Sequence, residues 1–348
     1  MEFGIFHEFT SLPGRPDSEA FAKSFAVVDA AERYGLDVMW LAELHFDAPR
    51  SILGAPMLVA SAIATRTERM KIGTSVTVLP LNNPLRIAEE GATLDQISQG
   101  RMVFGVGRSG VVSTYEAYNI PYAESKERFN ESLEIIERAW TEPKFSHAGK
   151  YYTFDDVTVV PRPYRSSGPE IRVAAQSPDT FQTLGEQGRA MFLSVRHENA
   201  NMFASYIDTY RKAWVAAGHP GTGRIHLRAA GFIAPTDAEA HARYAPTLMH
   251  HYRSQAELLG DSARRLDTPA DSSKWKTVER LRTISYEDAI KGTVLVGSPD
   301  TVTRKLKALE AELGLEGIQF ELNGGGKVSL AHETEALRLL CQEVKPAF

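Results

Sequence analysis

Short apolar runs alternate with longer amphipathic runs along all 348 residues, and this alternation constrains the fold more than any other feature. Eight of the short runs have the length and composition of strands that are covered on both faces. These runs are Phe3–Phe6, Val38–Leu41, Lys71–Leu79, Arg101–Val106, Glu170–Ala174, Ala190–Ser194, His226–Ile233 and Gly317–Glu321. Helical patterns lie between and after them, at Ser18–Tyr34, Ala55–Arg66, Pro84–Ile97, Glu124–Thr141, Pro178–Gln187, Asn199–Ala217, Asp237–Leu259, Pro299–Leu313 and Glu333–Glu343. This order predicts an α/β fold, a (β/α)8 TIM barrel, as a single domain over residues 1–348.

Two stretches interrupt the alternation. Gly149–Pro163 predicts a hairpin excursion between the fourth helix and the fifth strand of the barrel. Gly260–Gly292 is polar and shows no clear periodicity, so it predicts a long loop. A loop of that length inside a compact domain is usually functional.

Composition and charge exclude several classes of protein. The net charge is −5 and the basic residues form no stripe, which argues against a nucleic-acid partner. No apolar run is long enough to span a membrane and no signal peptide is recognisable, so a cytoplasmic location is predicted. One cysteine excludes an internal disulfide, and no spacing of His, Asp and Glu predicts a metal site.

Polar residues and glycines follow the predicted strands at the end where a barrel of this kind builds its active site. They are Glu43, His45, Ser75, Thr77, Gly107, Arg108, Gln176, Ser177 and Asn323. Glu43 and His45 are two positions apart and so share a face, either for proton transfer or as a satisfied polar pair. By contrast, the doublet His250-His251 lies on a predicted outer helix and is expected to face solvent.

An anion site is one interpretation of Arg108 and Ser177. Arg108 follows Gly107, and a guanidinium beside bare backbone can clamp a phosphate, although it could equally form a surface salt bridge. Ser177 precedes a helix whose first N–H groups suit phosphate, although it could also be only the helix cap. Together these residues predict a barrel that binds a phosphate-bearing ligand.

Several segments, in order, resemble the bacterial luciferase family of flavin-dependent monooxygenases, and the resemblance covers nearly the whole chain. The matching segments are Met1–Phe6, Trp40–Phe46, Gly73–Pro80, Leu94–Arg101, Phe104–Arg108 and Ala174–Ser177. The resemblance implies a barrel that binds reduced FMN supplied by a separate NAD(P)H:flavin reductase. It also implies that O2 adds at flavin C4a and that the resulting peroxyflavin oxygenates a small, apolar organic substrate.

The resemblance also implies roles for individual residues. It places flavin contacts at Glu43, Ser75, Val76, Val106, Gly107, Arg108, Lys126, Ala175, Gln176, Ser177 and Thr180. Catalytic roles fall to Glu43 and His45. A non-prolyl cis peptide is expected at Ser75-Val76, and Gly260–Gly292 is expected to be a mobile lid.

Three positions depart from the luciferase pattern. Leu44 stands in place of the catalytic histidine, which makes light emission doubtful. Gly107 replaces a reactive cysteine and is expected to open space above the flavin ring. Lys126 replaces an arginine at the phosphate, with Arg128 close by.

Alternatives within the same superfamily remain open. One is an F420-dependent oxidoreductase that transfers hydride, and another is a non-catalytic flavin-binding subunit. The family's mode of pairing predicts a homodimer through an apolar face made of Leu58, Ala62, Ile63 and Leu94, although packing against the barrel would explain the same residues.

Overall fold

Parallel strands form the centre of the molecule. The computed structural model describes residues 1–11, 14–175, 178–194 and 201–348. Within them the strands are β1 (Glu2–His7), β2 (Val38–Leu41), β3 (Lys71–Thr74), β4 (Thr77–Val78), β5 (Met102–Gly107), β6 (Phe145–Ala148), β7 (Thr153–Val157), β8 (Glu170–Ala175), β9 (Ala190–Ser194), β10 (Ile225–Ile233), β11 (Leu295–Gly297) and β12 (Gly317–Glu321).

Eight of these strands close into a barrel in the order β1-β2-β3-β5-β8-β9-β10-β12. The closure is visible at Ile5 of β1, which lies beside Met39 on one side and Phe320 on the other. All of the barrel pairings are parallel, so every strand ends at the same rim. The predicted (β/α)8 barrel is therefore confirmed.

Helices surround the barrel and cover the outer face of its strands. They are α1 (Asp17–Tyr34), α2 (Pro56–Arg66), α3 (Pro84–Ile97), α4 (Val112–Ala117), α5 (Ser125–Thr141), α6 (Pro178–Glu186), α7 (Asn201–Ala216), α8 (Asp237–Arg265), α9 (Ser273–Thr283), α10 (Tyr286–Ala289), α11 (Pro299–Leu313) and α12 (Leu330–Leu339). None of the helices in the described ranges is long and apolar enough to cross a membrane.

A hairpin excursion is present as predicted, because β6 and β7 pair antiparallel outside the barrel, but it begins at Phe145, before the predicted stretch. The predicted strand Lys71–Leu79 is interrupted instead of continuous. Its two halves, β3 and β4, are separated by the Ser75-Val76 peptide, which is cis. The short elements α4 and β11 have no counterpart among the sequence predictions.

The prediction of a long loop at Gly260–Gly292 is wrong. Helix α8 continues through Gly260 to Arg265, and α9 and α10 occupy much of the remainder. Glycine lowers helix propensity only moderately, and here α9 packs against α8, with Val278 Cγ1 near the position of a Cβ on Gly260. Val278 and Leu281 are fully buried in this contact, which stabilises a helix that its local sequence does not predict.

The barrel interior is layered. A charged network lies at the end where the strands begin: Glu2, Glu170, Arg172 and His226 (the basal network). Above it, Trp40 and Phe192 meet edge to face with ring centroids 4.9 Å apart. A Cβ on Gly73 would lie 2.1 Å from Trp40, so the neighbouring strand needs glycine there to admit the indole. This aromatic layer separates the basal network from the rim where the strands end.

Candidate active site

A cavity of about 920 Å³ opens at the rim where the barrel strands end. Its size is at the upper end of the range typical of ligand sites. Among the predicted site residues, those that line it are Glu43, Ser75, Val76, Gly107, Arg108, Lys126, Ala175 and Thr180. The predicted residues Gln176 and Ser177 lie outside the described residues. The same is true of His197, a weaker candidate from the sequence.

Four of the predicted residues that the structure describes do not line this cavity: Val106, His45, Thr77 and Asn323. The Val106 side chain is buried in the core between barrel and helices, so any contact of Val106 with a cofactor would come from its backbone. His45 lies behind Glu43 and packs edge to face against Tyr118, with ring centroids 5.3 Å apart. The carboxylate, and not the imidazole, is the member of the predicted pair that faces the cavity.

Glu43 and His45 form the predicted contact, with Glu43 Oε1 3.0 Å from His45 Nε2. The other carboxylate oxygen accepts a hydrogen bond of 3.0 Å from the backbone N–H of Val78. The Tyr118 hydroxyl lies 3.3 Å from His45 Nδ1. Both oxygens of Glu43 are therefore engaged, and one of them anchors the segment that follows the cis peptide.

The cis peptide expected at Ser75-Val76 is present. It places Val76 in the cavity wall opposite Gly107, where a Cβ would lie only 2.5 Å from Val76 Cγ2. The expectation that Gly107 opens space is therefore wrong, because Val76 occupies that space. Glycine is needed at position 107 to admit the valine side chain, which makes this part of the wall apolar.

One end of the cavity is cationic. Within the described part of the chain, no carboxylate forms an ion pair with Arg108 or Lys126. Arg128, considered from the sequence as a substitute, is instead bound to Glu124 at 2.8 Å. Thr180 lies in the first turn of α6, whose leading N–H groups favour an anion. Arg108, Lys126 and the start of α6 are thus groups of the kinds that bind phosphates in proteins.

The inner end of the cavity has a polar wall that the site predictions missed. It consists of Glu8, Arg50, Arg228, His251, Gln255 and Glu321, all of which line the cavity. The expectation of a solvated histidine doublet is wrong for His251, which is buried beneath Gly324, and right for His250, which is exposed. A signal was present in the sequence, since charged residues at alternate positions of an otherwise apolar strand point into a barrel.

Ion pairs organise the polar wall. Arg50 binds Glu8 at 2.9 Å, and Arg228 binds Glu321 at 3.0 Å. Burial opposes ionisation of Glu321, but the neighbouring guanidinium groups, that of Arg228 first and then that of Arg50, hold its pKa well below the ordinary value. Burial lowers the pKa of His251. The wall therefore carries two cations, two carboxylates and a neutral imidazole at neutral pH.

Glu8, His251 and Glu321 each offer a ligand atom within 4.8 Å of the others, a spacing that a metal ion could bridge. However, each carboxylate already binds a guanidinium, and a divalent cation here would meet two positive charges. The arrangement therefore suits a hydrogen-bonding wall better than a metal centre.

A family model described as luciferase-like monooxygenase matches residues 1–317. The alkanal monooxygenase alpha chain of the Kryptophanaron alfredi symbiont is 25% identical over 363 residues, which covers 99% of this chain and 98% of that protein.

Two solved structures illustrate the range of relatives with this fold. One is a type II Baeyer-Villiger monooxygenase of Pseudomonas putida, the oxygenating constituent of 3,6-diketocamphane monooxygenase, in complex with FMN. It has a TM-score of 0.81 and 24% identity and covers 100% of this chain and 98% of its own. The other is the coenzyme F420 dependent tetrahydromethanopterin reductase of Methanopyrus kandleri, with a TM-score of 0.74 and 18% identity, covering 100% and 99%.

Proposed function

Because this chain belongs to the luciferase-like monooxygenase family and is a flavin-dependent monooxygenase, we propose that it uses reduced FMN and O2 to oxygenate a small organic substrate. The observation that carries the choice of FMN is the pair Arg108 and Lys126, two cations without carboxylate partners among the described residues, at one end of the cavity. A doubly charged phosphate monoester would be bound there by charge-assisted hydrogen bonds.

The residues present fit a flavin. The apolar wall formed by Val76 and Gly107 suits one face of an isoalloxazine ring, and a larger residue than glycine at 107 would displace Val76. In this proposal Arg108, Lys126 and Thr180 hold the phosphate, with Gln176 and Ser177 kept as predicted contacts. Ser75, Val76, Gly107 and Ala175 lie against the ring. Bound reduced FMN supplies the oxygen chemistry, and the route through flavin C4a stays a prediction.

Glu43 has a positioning role in this proposal. It fixes the backbone at Val78 and thereby the wall that begins at Ser75, while His45 holds the carboxylate in place. We therefore expect His45→Ala to reduce substrate oxygenation more than it weakens FMN binding. Helices α8 and α9 cover the cavity and would shield the flavin from water.

The wider assignments also remain proposals. A separate NAD(P)H:flavin reductase would supply reduced FMN, the protein would be cytoplasmic, and residues 1–348 would form one domain. A homodimer is still proposed, but not through the face expected from the sequence. Ile63 and Leu94 are buried in the core of the protomer, and only Leu58 of that set is largely exposed.

The phosphate assignment is tested by titrating the full-length protein with FMN and with riboflavin, which lacks the phosphate. We expect Arg108→Ala to weaken FMN binding roughly tenfold or more while leaving riboflavin binding almost unchanged. Arg86→Ala is the matched control, because this exposed arginine pairs with Glu90 on α3. Equal affinity for FMN and riboflavin in the unmodified protein would contradict the phosphate assignment.

The reaction is tested by loading the protein anaerobically with reduced FMN and mixing it with oxygenated buffer. A long-lived flavin–oxygen species, followed by slow return of oxidised FMN, supports the monooxygenase. Immediate return of oxidised FMN, together with tight binding and oxygen-independent reduction of F420, would favour the hydride-transfer alternative. Tight binding of oxidised flavin without any turnover would favour a non-catalytic subunit.

A further inference from the structure

The polar wall at the inner end of the cavity has hydrogen-bonding groups that the protein itself does not satisfy. Among the described residues, Glu8 Oε2 and Arg228 Nε are buried and have no hydrogen-bond partner. The other oxygen of Glu8 accepts from Arg50 Nε at 2.9 Å. A buried donor or acceptor left unpaired destabilises a protein by roughly 1–3 kcal/mol. These two atoms are enclosed in the wall, and the groups that a ligand in the cavity can reach belong to Arg228, His251 and Glu321, which line it.

Arg228 is held rigidly in this wall. Its guanidinium carbon lies 3.4 Å from the centroid of the Phe6 ring, and its Nη2 donates to Glu321 Oε1 at 3.0 Å. The stacking and the ion pair fix the plane of the guanidinium. Nη1 forms no hydrogen bond with the described residues and, unlike Nε, is not enclosed, so it is the donor that remains for a ligand.

His251 adds an acceptor. Its Nδ1 lies 3.1 Å from the carbonyl oxygen of Gly324, which can only accept, so Nδ1 carries the proton. In the neutral ring Nε2 then has a free lone pair. It lies 3.5 Å from Glu321 Oε1, a distance longer than a charge-assisted hydrogen bond. His251 Nε2 and the carboxylate of Glu321 therefore form an acceptor pair next to the donors of Arg228.

The charges in the wall are balanced between Arg50, Arg228, Glu8 and Glu321. A carboxylate ligand would lie close to the two glutamates, and an ammonium ligand would lie close to the two arginines. A neutral group that both donates and accepts avoids both conflicts. The remaining lining near this end includes Phe6, Leu258 and Leu259, which suit an apolar carbon skeleton.

From this geometry, and resting on the proposed function, we propose that the organic substrate is an uncharged alcohol or phenol whose hydroxyl group binds the polar wall. The hydroxyl donates to the acceptors Glu321 and His251 and accepts from Arg228. Its apolar skeleton lies between the wall and the flavin. This assignment replaces the apolar substrate expected from the sequence.

Three probes of similar shape test the proposal: 2-naphthol, naphthalene and 2-naphthoate. Their dissociation constants are measured by calorimetry on the full-length protein, both with and without saturating FMN. We expect 2-naphthol to bind roughly tenfold or more tightly than either of the other two, because only it matches the donors and acceptors of a neutral wall. Equal binding of naphthalene, or tightest binding of 2-naphthoate, would overturn the proposal.

Two variants locate the binding. Glu321→Gln keeps the side-chain shape and should bring the affinity for 2-naphthol close to that for naphthalene, as should Arg228→Met. Glu321→Gln carries the test if Arg228→Met does not fold. Unchanged 2-naphthol affinity in Glu321→Gln would also refute the assignment.

Arg108→Ala separates this proposal from the assignment of FMN. It should weaken FMN binding without changing the affinity for 2-naphthol measured in the absence of flavin. If FMN fails to bind at all while 2-naphthol still discriminates between the variants, the cofactor assignment fails and the hydroxyl site stands. If FMN binds as expected but the affinity for 2-naphthol does not differ between the variants, the hydroxyl site is rejected and the cofactor assignment stands.

Discussion

Two buried charge networks occupy opposite ends of the same barrel, and they differ in how completely their charges are used. In the basal network, Arg172 donates Nε to Glu170 and both Nη1 and Nη2 to Glu2. In the polar wall, Arg228 donates only Nη2 to Glu321, and its Nε has no partner among the described residues. Arg172, which donates from all three nitrogens, stabilises the fold, whereas Arg228, which donates from one, leaves a donor for a ligand.

Exposure follows the same division. The Arg172 side chain is 1% exposed, compared with 19% for Arg228. Arg172 lies where the strands begin, the end of such barrels that usually contributes stability, and Arg228 lies toward the rim where function is found. Similar residue types therefore take different roles because of their position along the strand and the number of partners they bind.

The largest effect should come from Arg172→Met, which removes a fully buried guanidinium that binds two half-buried carboxylates and leaves Glu2 with Lys71 and Glu170 with Arg224 as their remaining cation partners. We expect the free energy of unfolding, measured in urea, to fall by roughly 3–5 kcal/mol. Arg228→Met should lower it by only about 1–2 kcal/mol, since one ion pair is lost from a site that water can reach. Equal losses in the two variants would mean that the networks do not differ in their structural role.

The second effect concerns pH. Burial, and then the charge of Arg172, lower the pKa of His226 from 6.5 to about 3. Below pH 6.5 this histidine is therefore protonated in the unfolded chain but stays neutral in the folded chain. The free energy of unfolding consequently falls as the pH decreases toward 3. Burial opposes ionisation of Glu2, but Arg172 holds its pKa at about 2 against an ordinary 4.5, so Glu2 contributes a loss of the same sign at lower pH.

We expect His226→Gln to remove part of this pH dependence, on the order of 2–3 kcal/mol between pH 7 and pH 4. Glutamine keeps an acceptor for Arg172 Nη1, which lies 3.0 Å from His226 Nδ1. Urea unfolding at several pH values gives the comparison, with His251→Gln as the matched variant in the polar wall. A steeper pH dependence in His226→Gln than in the unmodified protein would contradict the assigned direction of the pKa shift.

The sequence predicts most of the barrel because the strand and helix periods are strong and local. It also predicts the contact of Glu43 with His45, since two residues separated by one position after a strand share a face. It does not predict α9, because the packing of Val278 and Leu281 on α8 depends on residues distant in the chain. Local composition indicated a loop there, and tertiary burial determined a helix.

The polar wall was missed for a related reason. Glu8, Arg50 and His251 come from three separate elements, and nothing in their local sequences shows that they meet. The sequence predicts a solvated face for both histidines because they lie on an outer helix, but only His250 is exposed, and His251 is buried on the other side of α8. In contrast, Arg228 and Glu321 lie on barrel strands in register-related positions, and alternation alone would have placed both inside.

The smallest effect should come from Ser75→Ala, which removes a neutral contact close to the polar wall. Ser75 Oγ donates to Gln319 Oε1 at 3.1 Å, and Ser75 is only partly buried. One neutral hydrogen bond contributes about 0.5–1.5 kcal/mol, so the loss of unfolding free energy should be no larger than that in Arg228→Met. Thermal and urea unfolding measure it, and the affinity for 2-naphthol provides the second readout.

Because Ser75 does not belong to the polar wall, its removal should leave the preference for 2-naphthol over naphthalene intact. Thr74→Val is the matched control, since it also removes one neutral hydrogen bond: Thr74 Oγ1 donates to the carbonyl of Gly105 at 2.7 Å in the buried barrel wall. A loss of probe selectivity in Ser75→Ala as large as that in Glu321→Gln would mean that hydroxyl recognition is spread over the whole rim. Retained selectivity would confine it to the charged groups, where the two ends of the barrel differ.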